Sequence, residues 1–187
     1  MSMNRKSRLS TQKLARLALL AAAAVVLGYI EGILTAFAPL PPGVKLGLAN
    51  TVVLYSIYTL GVECSVLLII LKVVLTGFMS GNLAAAFLYS MGGAVLSLIS
   101  MLIVKKLGGE KVSIVGVSVV GAVFHNIGQL LVAAFILQTP GIMFYVFILM
   151  ISAVVTGFLT GLAGNRVISV LRIPEKPARK AQGEGGK

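Results

Sequence analysis

Aspartate and tryptophan are both missing from the 187 residues. Without aspartate, the chain cannot form the Asp-rich magnesium motifs expected of an enzyme that handles diphosphates. Gly-x-x-x-x-Gly-Lys-Ser/Thr is absent, which excludes nucleotide hydrolysis by a P-loop, and Gly-x-Ser-x-Gly and His-Glu-x-x-His are absent too. Cysteine is reduced to Cys64, so there is no intrachain disulfide and no cysteine metal motif. The one histidine, His125, has no acidic neighbour on its stretch and makes poor metal ligation. These gaps describe a chain that is not an enzyme by itself, with no catalytic residues, no metal and no cofactor. Acid is scarce as well: five Glu stand against 16 Lys and Arg, for a net charge of +11.

What the chain has is apolar length. Hydrophobic residues make up 58% and charged residues 11%, and the mean hydropathy is +1.01. The apolar residues come in long runs rather than at period 2 or 3.6. A helix crossing the hydrocarbon core needs about 20 of them, and an open sheet in lipid would leave backbone groups unpaired. The spacing predicts an all-α, polytopic membrane protein with six transmembrane helices. The runs are Leu14 to Ala38, Val44 to Leu60, Val62 to Met79, Leu83 to Val104, Val112 to Leu137 and Ile142 to Ala163. Breaks fall at Pro39 to Gly43, Ser80 to Asn82, Lys105 to Lys111 and Gln138 to Gly141. Residues 1–13 form a basic leader, 14–165 the membrane domain, and 166–187 a polar, flexible tail. Ala36-Phe37-Ala38 resembles a signal-peptidase site, but the apolar stretch is too long for a signal sequence and contains Glu31, so it is read as a retained helix.

The basic residues give a direction. All of them except Lys45 and Lys72 lie in the two tails or the Lys105 to Lys111 loop. By the positive-inside rule both termini are cytoplasmic, and the protein sits in the cell membrane. Charge gathered in tails and one loop is not a nucleic-acid surface.

Polar side chains at membrane depth usually mark a cavity or a pathway. Glu31, Asn50, Lys72, Asn82, His125, Asn126 and Gln129 all fall in the middle or outer half in this orientation, with Lys45 at the outer mouth. This one-sidedness points to a polar cavity open to the outside. His125 and Gln129 are four apart and share a helix face, and this cluster is read as a ligand contact. For Glu31 and Lys72, structural pairing and ligand binding stay equally open, with Lys45 an equal partner for Glu31. Small residues recur every fourth position, at Ala18 and Ala22, at Ala24, Gly28 and Gly32, at Gly77 and Gly81, and at Gly157 and Gly161. Such rows let helix backbones approach closely. The Ala15, Ala18, Ala21 and Ala22 face is either internal packing or a docking face for another membrane subunit.

Three stretches carry a resemblance: Pro42 to Asn50 (PGVKLGLAN), Gly77 to Leu83, and Gly116 to Gln129 (GVSVVGAVFHNIGQ). The chain resembles the Gx transporter family, also labelled heptaprenyl diphosphate synthase component I, over about Leu14 to Val170. That family is similar to the substrate-binding S components of energy-coupling factor (ECF) transporters. The resemblance implies a six-helix bundle with an outward-facing site for a vitamin-like small molecule. It also implies docking of Ala15, Ala18 and Ala22 on an ECF-type transmembrane coupling subunit energised by ATPase subunits. Lys45, Lys72 and His125 suit an anionic group, so a flavin, a phosphorylated precursor or a carboxylate fits. The first expectation is therefore a substrate-binding subunit for uptake. The alternative is a non-catalytic membrane component I of heptaprenyl diphosphate synthase. A pore through His125, Lys72 and Glu31 ranks last, because the cytoplasmic half lacks polar residues to continue it.

Overall fold

A computed structural model describes residues 11–37, 47–79, 83–138 and 145–171. Six helices follow in order: α1 (Thr11–Phe37), α2 (Leu48–Thr59), α3 (Val62–Met79), α4 (Leu83–Gly108), α5 (Ile114–Leu137) and α6 (Tyr145–Leu171), with a 3-10 turn at Gly109–Lys111 between α4 and α5. The all-helical expectation is met. Lys45, Asn82 and the breaks at Pro39 to Gly43 and Ser80 to Asn82 lie outside the described residues, as do the first ten residues and those after Leu171.

Among the described residues four are long and apolar enough to cross a membrane: Thr11–Ile33, Phe87–Gly108, Ile114–Ile136 and Val146–Val170. α2 has 12 residues, which at 1.5 Å each reach about 18 Å, against a hydrocarbon core of about 30 Å. The apolar run from Val44 looks long enough to span, yet the helix starts only at Leu48. The preceding Gly47 is left-handed (φ 77), a conformation at home in glycine and outside the helix. α3 has 18 residues, with Glu63 in its first turn and Lys72 further along. α4 and α6 run past their expected ends to Gly108 and Leu171, taking in Lys105, Lys106 and Arg166; long basic side chains near a helix end reach out to water.

α5 packs extensively on both α4 and α6, α3 joins α4, and α2 touches α1, α3, α6 and α5. Glycine sets the closest seams. Gly92 on α4 faces Gly128 on α5, where an added Cβ at Gly128 would run into the Gly92 carbonyl. An added Cβ on Gly157 or Gly161 of α6 would come within 2.7 Å of Val119 Cα or 2.8 Å of Val115 Cα on α5. The Gly157 and Gly161 row read from the sequence is therefore an internal seam. Gly32, by contrast, has nothing within 4 Å of an added Cβ. The core gathers Leu17, Ala21 and Ala24 of α1, Val52 to Leu54 and Ile57 of α2, and Cys64, Leu68 and Val73 of α3. Large apolar side chains also point outward, such as Leu19 (72% exposed), Phe135 (83%) and Phe147 (78%). That surface suits lipid rather than water.

α2 and α3 form a tight helical hairpin. Leu60 and Gly61 separate them, and both backbone N–H groups donate to Ser56 O, at 2.9 and 3.1 Å. Gly61 takes φ 89. Ser65 Oγ then donates to Gly61 O at 2.8 Å and shares a hydroxyl–hydroxyl hydrogen bond of 3.0 Å with Ser56 Oγ. α5 starts on Ser113, whose side chain accepts the Gly116 N–H at 3.1 Å, the usual serine N-cap.

Candidate functional site

Three of the polar residues singled out in the sequence meet where α1, α2 and α3 converge. The convergence is made by Gly28: a Cβ there would lie 3.8 Å from both Ala49 Cβ and Thr76 Cγ2, so one helix from each side comes into ordinary contact. One turn further along α1, Glu31 is only 4% exposed. Its carboxylate accepts the Gly47 N–H at 2.6 Å. On the next turn of α2 the Asn50 side-chain oxygen accepts from Lys72 Nζ at 2.9 Å. Thr76 returns its hydroxyl to the Lys72 carbonyl at 2.8 Å. Of the two roles left open for Glu31, this geometry adds a third: a carboxylate seated at the positive end of a helix dipole.

The start of α2 sits deep in the bundle. A Cβ on Gly47 would lie 3.9 Å from Thr160 Cγ2, and Thr160 is near the middle of α6 (Tyr145–Leu171). The short helix thus begins about halfway along its long neighbour and runs toward the end that carries Lys105.

His125, Asn126 and Gln129 form a second group, spread over two seams of α5. His125 and Asn126 are buried. An added Cβ at Gly93 on α4 would lie 2.8 Å from His125 Cε1 and 2.7 Å from Gln129 Cγ, so both lean on α4. Asn126 faces the other way and donates to Leu149 O on α6 at 3.0 Å. Elsewhere on the α5 to α6 seam Thr160 shares a hydrogen bond of 3.2 Å with Ser118. Among the described residues no cluster of His, Cys, Asp or Glu could hold a metal. A half-buried cation, amides and the N-terminus of a helix are groups that can hold an anionic function.

Ala15, Ala18 and Ala22 are exposed, but Ala21, grouped with them in the sequence, turns inward with Leu17 and Ala24 and enters the core. The alanine row therefore lies outside this bundle's own packing.

Reading the sequence missed Lys105, which it placed in a loop. Lys105 Nζ donates to the Ile57 carbonyl of α2 at 2.7 Å and lies 4.2 Å from the centroid of the Tyr58 ring. A cation on the last carbonyls of a helix complements its negative end. The available signal was a lysine just after a long apolar run, which the charge asymmetry alone had absorbed.

A family model described as heptaprenyl diphosphate synthase component I matches residues 20–167. No curated protein and no solved structure matches the chain.

Proposed function

The chain belongs to the heptaprenyl diphosphate synthase component I family, and from that premise we propose that it is a non-catalytic membrane component of heptaprenyl diphosphate synthesis. The observation that carries this reading is the family match, which covers most of the chain. Composition supports it: with no aspartate in the sequence, the magnesium and diphosphate chemistry belongs to a partner, and this subunit supplies an apolar bundle beside which a long prenyl chain can lie. The test is co-expression with and without a catalytic prenyl synthase subunit, with product chain length read by mass spectrometry. Heptaprenyl product that depends on this chain supports the reading. Equal yield and equal length without it overturn the reading.

A second reading is favoured by one specific observation. Glu31, Asn50 and Lys72 are hydrogen-bonded around a helix start inside the bundle, about halfway along α6. That arrangement suits a substrate-binding subunit for uptake of a small anionic molecule, docked through Ala15, Ala18 and Ala22 on a transmembrane coupling subunit with its ATPases. Native mass spectrometry of the purified protein separates the readings. A co-purified flavin, phosphorylated precursor or carboxylate supports uptake, and a co-purified prenyl diphosphate supports the synthase role.

A further inference from the structure

α2 is held at its two ends by opposite charges from two other helices. At its start the Glu31 carboxylate of α1 takes the Gly47 N–H. At its finish the Lys105 ammonium of α4 takes the Ile57 carbonyl and covers Tyr58. Each charge sits at the end of the helix dipole that it complements. Between the clamps one side of the helix is buried, with Ala49, Val52, Val53, Leu54 and Ile57 in the core. Its approach to α6 runs over a glycine: an added Cβ on Gly164 would meet Leu54 Cδ2 at 2.9 Å and Thr51 Cγ2 at 3.5 Å. A helix of about 18 Å with intact internal hydrogen bonds is stiff.

We propose that α2 is a displaceable strut that moves as one rigid body, so that releasing its Glu31 end loosens its Lys105 end. The strut links the polar assembly of Glu31, Asn50 and Lys72 to the turn at Gly109–Lys111 that follows Lys105. Any event that draws Glu31 off the Gly47 N–H is then felt at the far end of the helix, where α4 turns toward α5. This holds whichever of the two functional readings is right.

Cys64 reports the movement. It is the one cysteine in the chain, it is buried, and it precedes Ser65, which ties the α2 finish to the α3 start. The experiment follows the rate of Cys64 modification by N-ethylmaleimide in the full chain reconstituted in lipid nanodiscs. Lys105→Met releases the near clamp and speeds labelling. Glu31→Gln, at the far end of α2, removes the charge while leaving an acceptor oxygen for the Gly47 N–H, and speeds it as well, by roughly two- to fivefold, the range that loss of a charge at a helix end produces. Asn50→Ala frees the same end and serves if Glu31→Gln does not accumulate. Asn126→Leu, which breaks the bond between α5 and α6, leaves the rate unchanged. Two results overturn the proposal. One is a wild-type rate in Glu31→Gln or Asn50→Ala while Lys105→Met is fast, which makes the two ends independent. The other is an equal rise in Asn126→Leu, which makes the exposure a loosening of the whole bundle.

Discussion

Adding one methyl group to Gly128 should loosen the seam between α4 and α5 more than the same methyl loosens any open position. A Cβ at Gly128 runs into the Gly92 carbonyl oxygen and comes within 2.8 Å of Gly92 C and 2.9 Å of Gly93 Cα. All three atoms are backbone, so no rotamer change relieves the contact. Carbon atoms pack best at about 3.5–4.0 Å, so the two helices must part by roughly 0.7 Å at this point. Parting also pulls Gly93 away from His125 and Gln129, which lean on it. Overpacking of this kind costs about 1–3 kcal/mol. Gly32→Ala is the matched control, because nothing lies within 4 Å of its added Cβ. There the better helix propensity of alanine contributes up to about 1 kcal/mol in the favourable direction. The assay is reversible unfolding in mixed micelles by titration with sodium dodecyl sulfate, followed by tyrosine fluorescence. Gly128→Ala should move the midpoint down and Gly32→Ala should hold or raise it. If both variants shift alike, close backbone packing at Gly92 and Gly128 is not what holds α4 to α5.

Three further outcomes use the same unfolding assay. Gly47→Ala forces a Cβ into the left-handed region at φ 77 and should cost about 1–2 kcal/mol. Asn126→Leu removes the bond to Leu149 O and should cost about 0.6–1.7 kcal/mol, the range for a hydrogen bond between membrane helices. Ser56→Ala and Ser65→Ala in a double-mutant cycle should show a coupling of similar size, because their hydroxyls meet at 3.0 Å; a coupling of zero removes the α2 to α3 tie.

How much of this could be read in the sequence depends on what decides each feature. The long helices were legible because lipid demands runs of apolar residues, and α1, α4, α5 and α6 have them. The Gly157 and Gly161 seam was legible from spacing alone. α2 was not. Its run from Val44 to Leu60 has the length of a span, and only the backbone of Gly47, together with the carboxylate that arrives from α1, fixes where the helix begins. Glu31 was legible as a costly buried acid, but its acceptance of a backbone N–H was not, because that donor is unremarkable until a helix starts beside it. Lys105 illustrates the opposite error: a charge counted for its side of the membrane also has a bonding partner 48 residues away. The pairing of Gly92 with Gly128 lies across two helices, and no spacing within either one announces it.

The α2 to α3 hairpin has a consequence for how the chain enters the bilayer during synthesis. A stretch of 12 helical residues is too short to partition as a span of its own, and Lys72 penalises α3 by about 2.5–3.5 kcal/mol near the bilayer centre. α2 is a poor client of the insertion machinery alone, and Lys72 is a cost that α3 carries. Joined by Leu60 and Gly61, with Asn50 already against Lys72, they can leave the translocon as one unit. A ribosome stalled after α2 would then hold a nascent chain whose second helix is still outside the lipid, and integration of the segment would wait for α3.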